Sequence, residues 1–219
     1  MKNLGIWKDY TTFVFDCDST LSKIEGIDEL ARMNGVFDKV AEMTNQAMNS
    51  SSLTTGIYEK RLELTKPTKQ QIQEVGKLYI EEITKGTKQL IEFLLKSDKE
   101  VFILSGGLLE AIFPFSDFLG IKRENVFAVP IYFNEDGTYK TFDKNCPLAK
   151  KNGKTKILQE RILFSGKSLL IGDGMSDAET KNIVTTFVGF GGVVKREKVK
   201  AVSEFYLESE DLSDFLTLA

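Results

Sequence analysis

The sequence predicts an α/β fold in which a Rossmann-like parallel sheet is interrupted, after its first strand, by an inserted helical bundle. Three observations predict it. The apolar run Thr12-Phe13-Val14-Phe15 stops at the polar cluster Asp16-Cys17-Asp18-Ser19-Thr20, the stretch from Ser22 to Lys85 carries helical patterning only, and strands alternate with helices after Gly86. A chain of 219 residues has room for one α/β core and a smaller attached element. The expected division is 1–21 with 85–219 for the core and 22–84 for the helical element.

Thr12 to Phe15 is short and β-prone, the pattern of a buried parallel strand that delivers polar residues at its carboxyl end. Helices are expected at Ile27 to Met33, Val36 to Met48, Thr55 to Leu64 and Thr68 to Ile83, the last opened by Thr68 and Gln71 as a capping box just after Pro67. Four helices without a strand read as a separate bundle, a cap. Beyond Gly86 come helix Thr87 to Ser97, strand Val101 to Leu104, helix Leu108 to Leu119 and strand Val126 to Val129, and successive βαβ units imply right-handed crossovers. Ile131-Tyr132-Phe133 and Tyr139-Lys140-Thr141-Phe142 flank Asp136-Gly137, which supplies the positive φ of a hairpin turn. Helix Lys154 to Leu163, strand Ser168 to Ile171, strand Thr186 to Val188, a loop at Gly189-Phe190-Gly191-Gly192, a strand near Phe205 to Leu207 and a terminal helix complete the order.

The 29 Lys and Arg against 32 Asp and Glu leave a net charge of −3, without the basic excess that nucleic-acid binding needs. No apolar run approaches the roughly 20 residues of a membrane span, and charge enters the segment Met1 to Asp9 too early for a secretory signal. The expectation is a cytoplasmic protein, monomer or homodimer, whose partner is a small solute rather than nucleic acid or a membrane. Cys17 and Cys146 form no Cys-x-x-Cys pair, so neither a disulfide framework nor a structural zinc site is expected. Histidine is absent, which excludes a Ser-His-Asp triad, phosphohistidine chemistry and His-ligated zinc. Proton transfer near neutral pH then falls to carboxylates, Lys, Tyr or Cys.

Three apolar runs end in polar clusters: Asp16 with Asp18, Ser105-Gly106-Gly107, and Asp173 with Asp177. Parallel strands bring such ends onto one rim. Phosphate monoester hydrolysis needs up to about 10²¹-fold acceleration, supplied mainly by positioning and by neutralising oxygen charge. Asp16 is the expected nucleophile, forming an aspartyl-phosphate, and Asp18 the general acid and then base. Asp16, Asp18 and Asp173 would repel by roughly 4 kcal/mol per close pair at an effective dielectric of 20, so a cation is expected among them. All-oxygen ligands, the Asp18 backbone carbonyl included, favour magnesium. Ser105 with the N–H groups of Gly106 and Gly107 makes a phosphate cradle ahead of a helix, and Lys154 balances remaining charge. Asp177 holds a metal-bound water or locks Lys154.

Other phosphate chemistries fail on spacing. Lys23 stands six positions after Cys17 where a cysteine phosphatase needs Arg, Arg161 stands where Gly166-Lys167-Ser168 would need a P-loop glycine, and Asp177 stands where Gly172-x-Gly174 would need a third dinucleotide-loop glycine.

At these residues the sequence resembles the phosphoserine phosphatase family of the haloacid dehalogenase superfamily, and the resemblance covers nearly the whole chain. Phe15-Asp16-Cys17-Asp18-Ser19-Thr20 matches the nucleophile motif, Leu104-Ser105-Gly106-Gly107 the second, Gly153-Lys154 the third and Gly172-Asp173-Gly174-Met175-Ser176-Asp177 the fourth. The resemblance implies a helical cap in which Glu25 reads a substrate ammonium and Arg61 pairs with its carboxylate. It places Met48, Asn49 and Ser176 at substrate-lining positions, Ser176 where the family has Asn or Thr. Thr54 and Leu108 replace aromatic residues of relatives, which leaves open another small phosphorylated metabolite as substrate. A non-catalytic phospholigand-binding protein is the third reading, disfavoured because a sensor need not keep a nucleophile and its acid.

Overall fold

The computed structural model describes residues 4–49 and 56–218, the backbone only for 44–49. Its centre is a parallel sheet of β1 (Tyr10–Phe15), β2 (Glu100–Leu108), β3 (Val126–Val129), β6 (Lys167–Gly172), β7 (Thr186–Phe190) and β8 (Phe205–Leu207), ordered β3-β2-β1-β6-β7-β8. The antiparallel hairpin β4 (Ile131–Phe133) and β5 (Tyr139–Phe142) stands apart from it. Phe13, Val14 and Phe15 are wholly buried, as a central strand covered on both faces requires.

The strand order reverses at β1, whose neighbours are β2 on one side and β6 on the other, and a crevice for ligands opens at such a switch. Register determines what lies there. Phe15 pairs with Ile103 of β2 and with Ile171 of β6, so Asp16, Ser105 and Asp173 all follow within two residues of one level. The Asp16 N–H donates to Ile171 O at 2.9 Å, tying the two acidic strand ends together.

Between β1 and the sheet's next helix lie α1 (Gly26–Met33), α2 (Phe37–Asn49), α3 (Ile57–Thr65) and α4 (Lys69–Glu81). The Thr68 capping box forms as expected: Thr68 Oγ1 accepts the Gln71 N–H and the Gln71 side chain accepts the Thr68 N–H. The chain enters and leaves this insert through adjacent segments. Ser22 and Ile83 form an antiparallel bridge, the Lys23 N–H donates to Glu82 O at 2.9 Å, and the Thr84 N–H donates to Leu21 O at 3.0 Å.

The remaining helices are α5 (Thr87–Lys96), α6 (Leu109–Leu119), α7 (Gly153–Glu160), α8 (Met175–Ala178) and α9 (Glu197–Val202). Several boundaries differ from expectation, and α7 ends at Glu160 rather than Leu163. β2 continues through Ser105-Gly106-Gly107 to Leu108, because Leu108 still pairs with Val129 after a register shift. Gly189 and Phe190 belong to β7 rather than a loop, since Gly189 pairs with both Gly172 and Tyr206. The terminal helix is a short 3₁₀ stretch, Leu212–Thr217, held by Trp7, whose indole N–H donates to Phe215 O at 3.1 Å. Among the described residues no helix is long and apolar enough to cross a membrane.

Candidate active site

Asp16 leaves β1 into a tight turn, Cys17–Leu21, in which Ser19 takes a left-handed conformation with φ 52°. That turn points Asp16 and Asp18 to one side. Asp16 Oδ1 accepts the Cys17 N–H at 2.8 Å and the Lys154 ammonium at 2.9 Å, which orients its carboxylate. Lys154 Nζ also lies 2.5 Å from Asp177 Oδ1. Burial alone would lower the Lys154 pKa, but the Asp16 and Asp177 charges more than offset it and hold the ammonium above the ordinary lysine range.

Lys154 reaches the site because Gly153 has no side chain: a Cβ there would sit 2.1 Å from Pro147 O, so only glycine lets α7 start against the turn Pro147–Ala149. Asp173 follows β6, and Asp177 folds back so that its Oδ2 accepts the Gly174 N–H at 3.0 Å. Gly172 makes that fold possible, since a Cβ would lie 2.3 Å from the Asp177 carboxyl carbon.

The carboxylate oxygens of Asp16, Asp173 and Asp177 come within 4.8 Å of one another, all buried. Hard oxygen donors so close in a buried place suit a divalent cation. Burial first, and then the Asp16 charge, push Asp173 up to about 6, while Arg196 opposes the shift from 3.0 Å.

Asp18 is held from three sides. Its Oδ1 accepts the Gly26 N–H and the Tyr79 hydroxyl, each at 2.7 Å, and its Oδ2 accepts the Ser105 hydroxyl at 3.3 Å. Burial and the Asp16 charge raise its pKa against these donors. Glu25 accepts the Ser19 hydroxyl at 2.7 Å. Its pKa is raised well above the usual value by burial and by the charges of Asp18 and Asp173.

No family model matches the chain. It is 37% identical over 207 residues to the phosphoserine phosphatase of Bos taurus, covering 93% of this chain and 89% of that protein. The chain belongs to the phosphoserine phosphatase family. The chloroplastic phosphoserine phosphatase of Arabidopsis thaliana is 33% identical, over 93% of this chain and 70% of its own. Among solved structures, a phosphoserine phosphohydrolase-like protein from Francisella tularensis superposes with TM-score 0.83 at 30% identity, covering 95% of this chain and all of that one. A phospho-aspartyl intermediate analogue of phosphoserine phosphatase superposes with TM-score 0.79 at 25% identity, over 95% and 98% of the two chains. The fold is therefore the haloacid dehalogenase α/β fold of these phosphoserine phosphatases.

One cavity is lined by Asp16, Asp18, Glu25, Arg61, Gly106, Gly107, Lys154, Asp173 and Ser176 of the residues expected in a phosphoserine phosphatase site. Ser105 and Asp177 lie fully buried behind its wall. The side chains of Met48 and Asn49, and Thr54 altogether, lie outside the described residues. One expectation is altered in detail: the Gly107 N–H donates to Ser105 Oγ at 2.9 Å, because the extended strand brings the two together. Sequence reasoning missed Ser19, Tyr79 and Arg196, which touch Glu25, Asp18 and Asp173 from outside the motifs' expected roles. It also missed Tyr58 and Leu62, apolar lining from α3 beside Arg61.

Proposed function

We propose that this chain hydrolyses O-phospho-L-serine to L-serine and phosphate through an aspartyl-phosphate on Asp16. The observation that carries the proposal is one cavity in which the oriented Asp16 carboxylate faces the same space as Asp18, Glu25 and Arg61. Asp16 attacks phosphorus and the bond from phosphorus to the serine oxygen breaks, with Asp18 delivering its proton to that oxygen. Asp18, now ionised, takes a proton from water as the water oxygen attacks phosphorus and the bond to Asp16 breaks. Lys154 and the residues at Ser105, Gly106 and Gly107 balance and seat the phosphoryl oxygens.

Asp16 and Asp173 with the Asp18 backbone carbonyl would hold Mg²⁺, which when bound neutralises charge on the phosphoryl oxygens. Asp177 is left to lock Lys154, as its 2.5 Å contact supports. Glu25, a carboxyl crowded by Asp18 and Asp173 charge, gains from an ammonium placed beside it. Arg61 matches the substrate carboxylate with a planar donor fork. Residues 22–84 act as a cap over the core formed by 1–21 and 85–219.

A second substrate remains in play because Leu108 lines the cavity where an aromatic residue was expected. A panel of phosphorylated metabolites measured with Mg²⁺ separates the two. Phosphoserine ranks first in kcat/KM and Asp16→Asn abolishes turnover if the reading holds; a low rank for phosphoserine overturns the substrate, and an active Asp16→Asn overturns the mechanism.

A further inference from the structure

Tyr79 sits in α4, 61 positions from Asp18 in sequence, and is completely buried. Its ring stacks on Phe115 of α6 with centroids 5.9 Å apart and planes 14° from parallel. Its hydroxyl donates to Asp18 Oδ1, which already accepts the Gly26 N–H at the same 2.7 Å. Two donors on one carboxyl oxygen occupy its lone pairs and favour placing the carboxyl proton on the other oxygen. Among the described residues Oδ2 accepts one hydrogen bond, from the Ser105 hydroxyl at the longer 3.3 Å.

We infer that Tyr79 is a positioning residue for the general acid, holding Asp18 so that Oδ2 carries the proton given to the leaving group. The inference rests on the role proposed for Asp18 and adds a residue from the helical insert to the proton-transfer step. Gly26 is part of the same device: a Cβ at Gly26 would lie 2.3 Å from the Tyr79 hydroxyl oxygen, so any side chain there displaces the hydroxyl. The stack on Phe115 fixes the ring and thereby the direction of the O–H.

The leaving group provides the test. Departure of the serine alkoxide needs a proton, whereas p-nitrophenolate leaves from p-nitrophenyl phosphate without one, and kcat/KM for each reports steps through leaving-group loss. With the Mg²⁺-loaded full chain, Tyr79→Phe keeps the stacked ring and is expected to lower kcat/KM for phosphoserine on the order of ten-fold, the loss of one hydrogen bond that orients the acid. Its kcat/KM for p-nitrophenyl phosphate is expected to stay within about two-fold of the parent, since no general acid is called upon. Gly26→Ala reaches the same hydroxyl from the other side and is expected to show the same selectivity. Equal losses on both substrates, or no loss on phosphoserine, overturn the inference. Asp18→Asn separates it from the underlying reading: full phosphoserine activity in that variant sinks the role of Asp18 itself, whatever Tyr79→Phe does.

Discussion

Arg196 Nε lies 3.0 Å from Asp173 Oδ2, so the residue just before α9 reaches back to the end of β6. Its own backbone is anchored, because the Arg196 N–H donates to the Tyr206 hydroxyl at 3.2 Å. Groups that orient a metal-binding carboxylate typically change metal affinity by about 10- to 100-fold when removed. Arg196→Ala is therefore expected to need about ten-fold more Mg²⁺ for half-maximal thermal stabilisation, with Arg196→Lys in between. An unchanged Mg²⁺ midpoint in both variants would show that Asp173 is held by other contacts.

Lys154 is buried with its ammonium between Asp16 and Asp177. Removing one partner of a buried charge group typically costs about 3–5 kcal/mol because the remaining charges lose their compensation. Lys154→Met should unfold at markedly lower urea concentration and should also lose turnover. A second change, Asp177→Asn, is expected to recover part of that stability by deleting one uncompensated charge, a coupling that a double-mutant cycle reads directly.

Asp173 shifts from an ordinary carboxyl value of 3.8 to about 6, and Asp18 and Glu25 shift in the same direction. A raised folded-state pKa means that the native chain binds more protons than the unfolded chain between these values, so stability falls as pH rises through that window. The metal-free protein should thus lose melting temperature between pH 4 and pH 6 through this group, and Asp173→Asn should flatten that loss. Mg²⁺ competes with the proton and should stabilise more at pH 7.5 than at pH 5. Thermal melts in EDTA and in Mg²⁺ across pH test the sign.

Gly172→Ala would place a methyl carbon 2.3 Å from the Asp177 carboxyl carbon. Relieving that overlap means moving Asp177 away from Lys154 or bending the end of β6, a strain of about 1–3 kcal/mol. For a chain of this size that corresponds to a melting-temperature loss of roughly 2–4 °C per kcal/mol. A neutral melt would show that Asp177 can turn aside without cost.

The fold was legible where one strand or helix dominated its own pattern. Thr12 to Phe15 and Val126 to Val129 are apolar enough to announce strands, and the Thr68 and Gln71 pair announced its helix start. Glycines misled in both directions. Gly106, Gly107 and Gly189 read as turn residues, yet pairing with neighbouring strands keeps them in or beside extended backbone. Asp16 and Asp173 were legible because each directly follows a strand. Tyr79 and Arg196 were not, because their relevance lies in approach across 61 and 23 positions, and an isolated Tyr or Arg in a helix or loop carries no local signal of that approach.

The bridge between Ser22 and Ile83 brings the two ends of the four-helix insert side by side. The sheet therefore sees the insert as a single side excursion, although α4 of that excursion packs on α6 through Tyr79 and Phe115. Glu25 and Arg61 lie on that excursion, whereas Asp16, Lys154 and Asp173 do not. On the roles proposed for these residues, recognition of the amino acid would be rewritten along one contiguous stretch of chain while the phosphoryl-handling residues stay untouched, with Tyr79 and Gly26 still joining the insert to Asp18.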